Sequence, residues 1–215
     1  MALAGYAAGI AAAALTGGLA ANVTGDAGGV VTMLAGQAGF WSVLVATVLY
    51  EMPGHEQRIG DRVGLRFRWI DAPLGLVVGV ATQLIVVPAL YLPLRSLIDD
   101  DRLSGPARDL LAGPGGVGLA VIGLSVVVAA PVVEELFFRG LLLQAMQDRW
   151  GTVAAVVGSS VVFGATHFQP LLLPGLAAAG AVFAMSVVRT GRLGTAIAVH
   201  AAFNATTFVV VGLLP

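Results

Sequence analysis

Seven long apolar stretches divide this chain, and that pattern leaves few folds open to it. They run from Ala2 to Ala21, Val30 to Tyr50, Leu74 to Leu94, Val117 to about Gln147, Thr152 to Phe168, Leu171 to Val188 and Leu193 to Leu214. A bilayer span needs about 20 mostly apolar residues, and within hydrocarbon every backbone N–H and C=O must find a partner inside the protein. Only 11% of the 215 residues are charged, against roughly 25% in an ordinary soluble domain, so a water-facing surface could not be covered. The expected fold is therefore all-α: a polytopic transmembrane helical bundle of about seven spans forming one integral membrane domain.

The connectors carry the charge and set the expected orientation. If the stretches alternate across the bilayer, one side receives eight arginines (Arg58, Arg62, Arg66, Arg68, Arg139, Arg149, Arg189 and Arg192) and the other three (Arg95, Arg102 and Arg108). Arginine and lysine favour the cytoplasmic side, which places the N-terminus inside and the C-terminus outside. The first stretch lacks the basic n-region of a secretory signal and reads as a retained span. All basic residues are arginines, and Ala, Val, Gly and Leu dominate, a bias that points to a prokaryotic gene and hence a plasma membrane. A net charge of -1 with dispersed arginines gives no footprint for nucleic acid. The absence of cysteine removes disulfides, thiolate nucleophiles and cysteine-based metal sites.

Three charged residues follow directly on an apolar run: Glu134, Glu135 and Arg139 come after Val117 to Val133. Ionisable groups at membrane depth cost at least a few kcal/mol and usually face a bundle interior or a watery cavity. Residues four apart on a helix share a face and adjacent ones do not, so Glu135 can pair with Arg139 while Glu134 points elsewhere. On that geometry Glu134 is the candidate general base, with the other two as its support. Taken alone, the trio reads equally as an interfacial cluster that snorkels to the headgroups.

The histidines favour the functional reading. Apart from His55 in the charged connector, the chain has only His167, with Phe163 one turn before it, and His200, which shares a helix face with Asn204. With a turn centred near Trp150, Glu134 lies 16 residues before it and His167 17 after it, each roughly 25 Å from the hairpin tip. The fourth stretch, about 31 residues or roughly 46 Å, exceeds the about 30 Å hydrocarbon core, so its cytoplasmic end projects. His200 lies eight residues past Arg192, roughly 12 Å in from the same side. All three can meet at shallow depth. The fifth and sixth stretches, interrupted at Gln169 and Pro170, are then short for two full crossings and read as broken or re-entrant.

EELFFR at 134–139, FGATH at 163–167 and HAAFN at 200–204 resemble, in order, the three motifs of the CPBP family. That family holds the type 2 CAAX prenyl proteases and the bacteriocin-processing or Abi intramembrane proteases. The resemblance covers about Val117 to Leu214, making 117–215 the catalytic core and 1–116 a set of N-terminal transmembrane helices and loops. It implies peptide-bond hydrolysis near the membrane surface, with Glu134 and His167 activating water and His200 and Asn204 stabilising the oxyanion. Glu135 and Arg139 would shape the site, with Phe163 in support. The substrate would be a peptide or membrane protein presented in the lipid bilayer, and the oligomeric state is left open.

Glu134, His167 and His200 also resemble a three-ligand catalytic zinc set, although no HExxH signature is present. The glutamate-activated-water route works without metal. Three alternatives use the same residues differently. A serine protease would need Ser159 or Ser160 beside His200, and no GxSxG elbow accompanies them. A proton-coupled transporter would use buried Glu and His, but no repeat of fixed period is visible. A non-catalytic immunity, chaperone or regulatory protein would keep the scaffold alone.

Overall fold

The computed structural model describes residues 2–24, 28–51, 59–98, 100–112 and 115–212. His55, Arg58 and the 52–58 part of the charged connector lie outside the described residues. Those described are helical with no strand, and six helices are long and apolar enough to cross a membrane. The chain divides into two compact units, 1–62 and 63–215.

The first unit is a pair of helices, α1 (Ala2–Thr24) and α2 (Gly29–Glu51). Small residues let their backbones approach: a Cβ on Gly36 would sit 3.3 Å from the Ala13 carbonyl oxygen. Thr16 donates to the Ala35 carbonyl at 2.7 Å across the interface, and Tyr6 meets Phe40 edge-on at 5.1 Å.

The second unit holds α3 (Asp71–Leu94), α4 (Asp100–Ala112), a long helical run Gly116–Ala165, α7 (Leu173–Thr190) and α8 (Leu193–Gly212). The long run is not one rod. Gly151 has φ 78 and ψ 170, a conformation open to glycine, and it separates α5 (116–150) from α6 (152–165). The rings of Phe138 and Phe163 lie 5.2 Å apart, whereas 25 residues of straight helix would separate them by roughly 37 Å. The expected turn at 148–151 is therefore a hairpin, and its second arm is too short to count separately as a span.

The central helix is α8. Residues 71, 75 and 79 of α3 meet residues 195, 198 and 199–203 of α8 in the same order, so these two helices run parallel. Gly79 seats against the Val199 carbonyl and the Ala202 methyl, positions that any side chain would occupy. On α5, Gly123 packs on Phe208 and Val126 bonds to Asn204, while Glu135 reaches His200, so α5 runs antiparallel to α8.

One end of this unit is fastened by a buried ion pair. Arg192 reaches Asp71 through Nη2 at 2.6 Å and Nε at 3.2 Å, and Asp71 also accepts from Thr195 Oγ1 at 2.6 Å and the Arg68 N–H at 2.7 Å. Beside it the Gly64 carbonyl takes the Leu193 N–H at 2.8 Å, capping α8.

Two proline-adjacent turns widen the helices. Val87 donates to Thr82 and Ala130 to Ser125, each an i to i−5 bond, over the π-helical stretches Thr82–Val86 and Ser125–Ala129. The next residue in each case is a proline, Pro88 or Pro131, which has no N–H to continue the pattern. The carbonyl that Pro131 would have served in that register is Val126, and it is taken by Asn204 Nδ2 at 2.9 Å.

Candidate active site

Glu134, Glu135 and Arg139 stand where α5 passes from α-helical to π-helical turns at Leu136–Leu142. The wider turn keeps Glu135 and Arg139 paired: Nη1 of Arg139 donates to Oε1 of Glu135 at 2.8 Å, with both side chains fully buried. Arg139 Nη2 donates to the Gly180 carbonyl of α7 at 2.8 Å. Its guanidinium carbon lies 4.7 Å from the centre of the Phe163 ring and 5.3 Å from that of Phe183, an aromatic lining that suits a desolvated cation. Glycine at 180 lets α7 come close, since a Cβ there would crowd Phe163, Ser160 and Arg139 at 3.1 to 3.3 Å.

His200 completes the group from α8. Its Nδ1 lies 2.8 Å from Glu135 Oε1, and its Nε2 is 3.9 Å from Glu134 Oε2. A carboxylate oxygen only accepts, so Glu135 holds a proton on Nδ1 and turns the Nε2 edge toward Glu134. The imidazole stacks on Phe183 at 4.4 Å with an interplanar angle of 18°. Glu134 differs from its neighbour: 16% of its side chain stays exposed, and among the described residues it makes no shorter polar contact than the one to His200.

His167 sits beyond the end of α6, in an exposed turn. Its Nδ1 lies 2.8 Å from the Phe163 carbonyl, and among the described residues Nε2 has no hydrogen-bond partner. The Phe163 ring stands 4.9 Å from this imidazole and 5.6 Å from that of His200, so one phenyl ring joins both histidines. The structure thus gathers Glu134, Glu135, Arg139, Phe163, His167 and His200 from α5, α6 with its terminal turn, and α8. Asn204 lies one turn beyond His200 on α8 and spends one amide N–H on Val126.

Two buried atoms in the cluster lack a hydrogen-bond partner: Glu135 Oε2 and Arg139 Nε. Both cost energy where they stand, and a site that admits water or a polar substrate would relieve that cost. Among the described residues no three His, Cys, Asp or Glu side chains are grouped so as to hold a metal ion. Glu135 occupies Nδ1 of His200 and the Phe163 carbonyl Nδ1 of His167, so each imidazole presents Nε2, the nitrogen that a water or a metal would take.

Residues that sequence reading did not single out are Phe183, the Gly180 carbonyl, Asp71 and the Val126–Pro131 pair. Phe183 lies on an apolar helix among similar residues, and nothing in its spacing marks it. Asp71 sits in the charged connector, where a carboxylate needs no explanation.

A model of the family described as type II CAAX prenyl endopeptidase Rce1-like matches residues 116–206, which hold all six residues of the cluster and Asn204. A curated protein of Bacillus subtilis (strain 168), named "Putative membrane peptidase YdiL", is 31% identical over 200 residues, covering 87% of this chain and 78% of the Bacillus protein. The chain belongs to the CPBP family. It is a multi-pass membrane protein of a membrane-protease family, in keeping with its six apolar helices. No solved structure matches it. Within this CPBP protein the family match begins at the first residue of α5, so α3 contributes to the site region from outside the matched segment.

Proposed function

We propose that this CPBP protein is an intramembrane endopeptidase that hydrolyses a peptide bond near the cytoplasmic membrane surface, with 117–215 as its catalytic core. The observation that carries this reading is the pairing across two helices: Glu135 holds His200 by one nitrogen while Glu134, partly exposed, faces the other at 3.9 Å. Carboxylates on adjacent residues thus have different duties. Glu135 is committed to Arg139 and His200, and Glu134 is left available.

Glu134 takes a proton from a water that His167 helps to orient through its free Nε2. The water oxygen forms a bond to the scissile carbonyl carbon, and the carbonyl π electrons move to oxygen. His200, as the imidazolium that carries a proton on Nε2 as well as Nδ1, and Asn204, through its second amide hydrogen, donate to that oxyanion. The C–N bond then breaks, and the proton held by Glu134 goes to the leaving amine. Arg139 holds Glu135 in place and does not touch the reacting atoms.

Orientation follows from the ends of the second unit. Arg66, Arg68, Arg149, Arg189 and Arg192 fall at the end where α7 finishes and α8 begins, and Arg95, Arg102 and Arg108 fall at the other. That asymmetry supports a cytoplasmic N-terminus and an external C-terminus. The substrate is a peptide or membrane protein.

The test is a proteomic comparison of membranes carrying the intact chain or its Glu134→Ala form. A membrane protein or peptide precursor that accumulates only with the variant names both activity and target. Identical membrane proteomes, with both proteins present at equal levels, reject the reading.

A further inference from the structure

The turn that carries His167 is strained. Phe168 has φ 54, left-handed backbone that a bulky aromatic residue rarely adopts, and its side chain is 72% exposed, so burial does not compensate. Such a conformation persists only where the surroundings hold it on both sides. On the upstream side the hold is visible: His167 N–H bonds to Gly164 O, Phe168 N–H to Ala165 O and His167 Nδ1 to Phe163 O.

On the downstream side the Leu172 and Leu173 N–H groups both bond to the Gln169 carbonyl at 3.0 Å, and a second hold, on the residues that follow, comes from α3. Tyr91 is buried, and its hydroxyl donates to the Leu171 carbonyl at 2.8 Å while accepting the Gly175 N–H at 3.2 Å. Those two backbone groups are four residues apart and would bond directly to each other in an undisturbed helix. The phenol is therefore spliced into the first turn of α7, in the place a water occupies in an opened helix end. Glycine at 175 gives the phenol its room, since a Cβ there would lie 3.1 to 3.2 Å from the Tyr91 ring, its hydroxyl and Val87, and the phenol would have to shift. Pro174, with no N–H of its own, leaves the Gly175 N–H as the next donor of that turn.

We infer that Tyr91 is a positioning residue for His167: by joining Leu171 to Gly175 it clamps the far side of the strained 167–170 turn and so fixes where the imidazole stands. This rests on the peptidase reading for its effect on rate, but its structural half is independent of that reading. The clamp lies on α3, outside the residues that the family model matches, and so ties catalysis in 116–206 to a helix that precedes it.

Tyr91→Phe removes one hydroxyl and keeps the ring. In the full-length protein in detergent micelles, hydrogen exchange at the amides of residues 168–175 should speed up about tenfold, the size expected for one net hydrogen bond. Exchange in α8 should stay unchanged. Against a substrate found by the membrane comparison above, kcat should fall about five- to tenfold with KM within about twofold. Gly175→Ala, which pushes the phenol out from the opposite side, should reproduce both changes and keeps the test open if Tyr91→Phe folds poorly. Unchanged exchange at 168–175 overturns the clamp. A fall in kcat without faster exchange there overturns it as well, because the effect would not travel through the turn. If the wild type cleaves nothing, the peptidase reading fails while the exchange measurement still decides the clamp.

Discussion

Oε1 of Glu135 lies 2.8 Å from Nδ1 of His200 and also 2.8 Å from Nη1 of Arg139, so one carboxylate oxygen receives a cation from its own helix and an imidazole from another. Burial makes this junction sensitive. The junction holds only while its members are all present, and removing one leaves a buried charge without its partner.

Arg139→Ala should therefore act on stability. Breaking a buried ion pair from one side costs about 3 to 5 kcal/mol, so little folded protein should survive mild heating in detergent, followed by size-exclusion fluorescence. The double variant Glu135→Gln with Arg139→Met, which removes both charges, should recover most of the loss. An unchanged unfolding midpoint for Arg139→Ala would remove its structural role.

Glu134→Ala and His167→Ala should behave in the opposite way. Glu134 keeps 16% of its side chain exposed and His167 lies in an exposed turn, and neither closes a buried pair. Neither should cost the about 3 to 5 kcal/mol expected of the Arg139 variant, and both purified variants should show no cleavage. Retained cleavage in either would reject its assigned role.

Asn204 has two separable duties. Its link to Val126 satisfies a carbonyl left over by Pro131, and Asn204→Ala should cost about 1 to 3 kcal/mol for an unpaired buried acceptor. Adding Pro131→Ala returns a backbone N–H near that carbonyl and should restore much of the stability. Cleavage, reduced about 10²- to 10³-fold by loss of an oxyanion donor, should remain reduced in the double variant. Recovery of activity together with stability would assign Asn204 a structural role only.

The clasp of Asp71 with Arg192 and Thr195 should be graded by chemistry. Asp71→Asn keeps an acceptor oxygen and should destabilise less than Asp71→Ala, which leaves Arg192 and Thr195 without their shared acceptor. Thermal unfolding in detergent reads the difference. Equal midpoints for the two variants would mean that the charge and hydrogen bonds at this end carry no stability.

The sequence by itself determined the fold class, because hydrocarbon admits only structures that pair their own backbone and the apolar stretches are of span length. It also marked Glu134, Glu135, Arg139, His167, His200 and Asn204, since ionisable and amide groups stand out against an apolar background. The pairing of Glu135 with Arg139 was legible too, because helical spacing brings residues four apart onto one face. Tertiary structure alone decided which helices meet. Nothing local says that Phe183 stacks on His200, that Gly180 receives Arg139, or that Asp71 closes on Arg192 across 121 positions of chain. These contacts join segments whose apolar patterns are interchangeable, and they are chosen by glycine-permitted close approach and by proline-orphaned carbonyls, both of which act only once the helices are side by side.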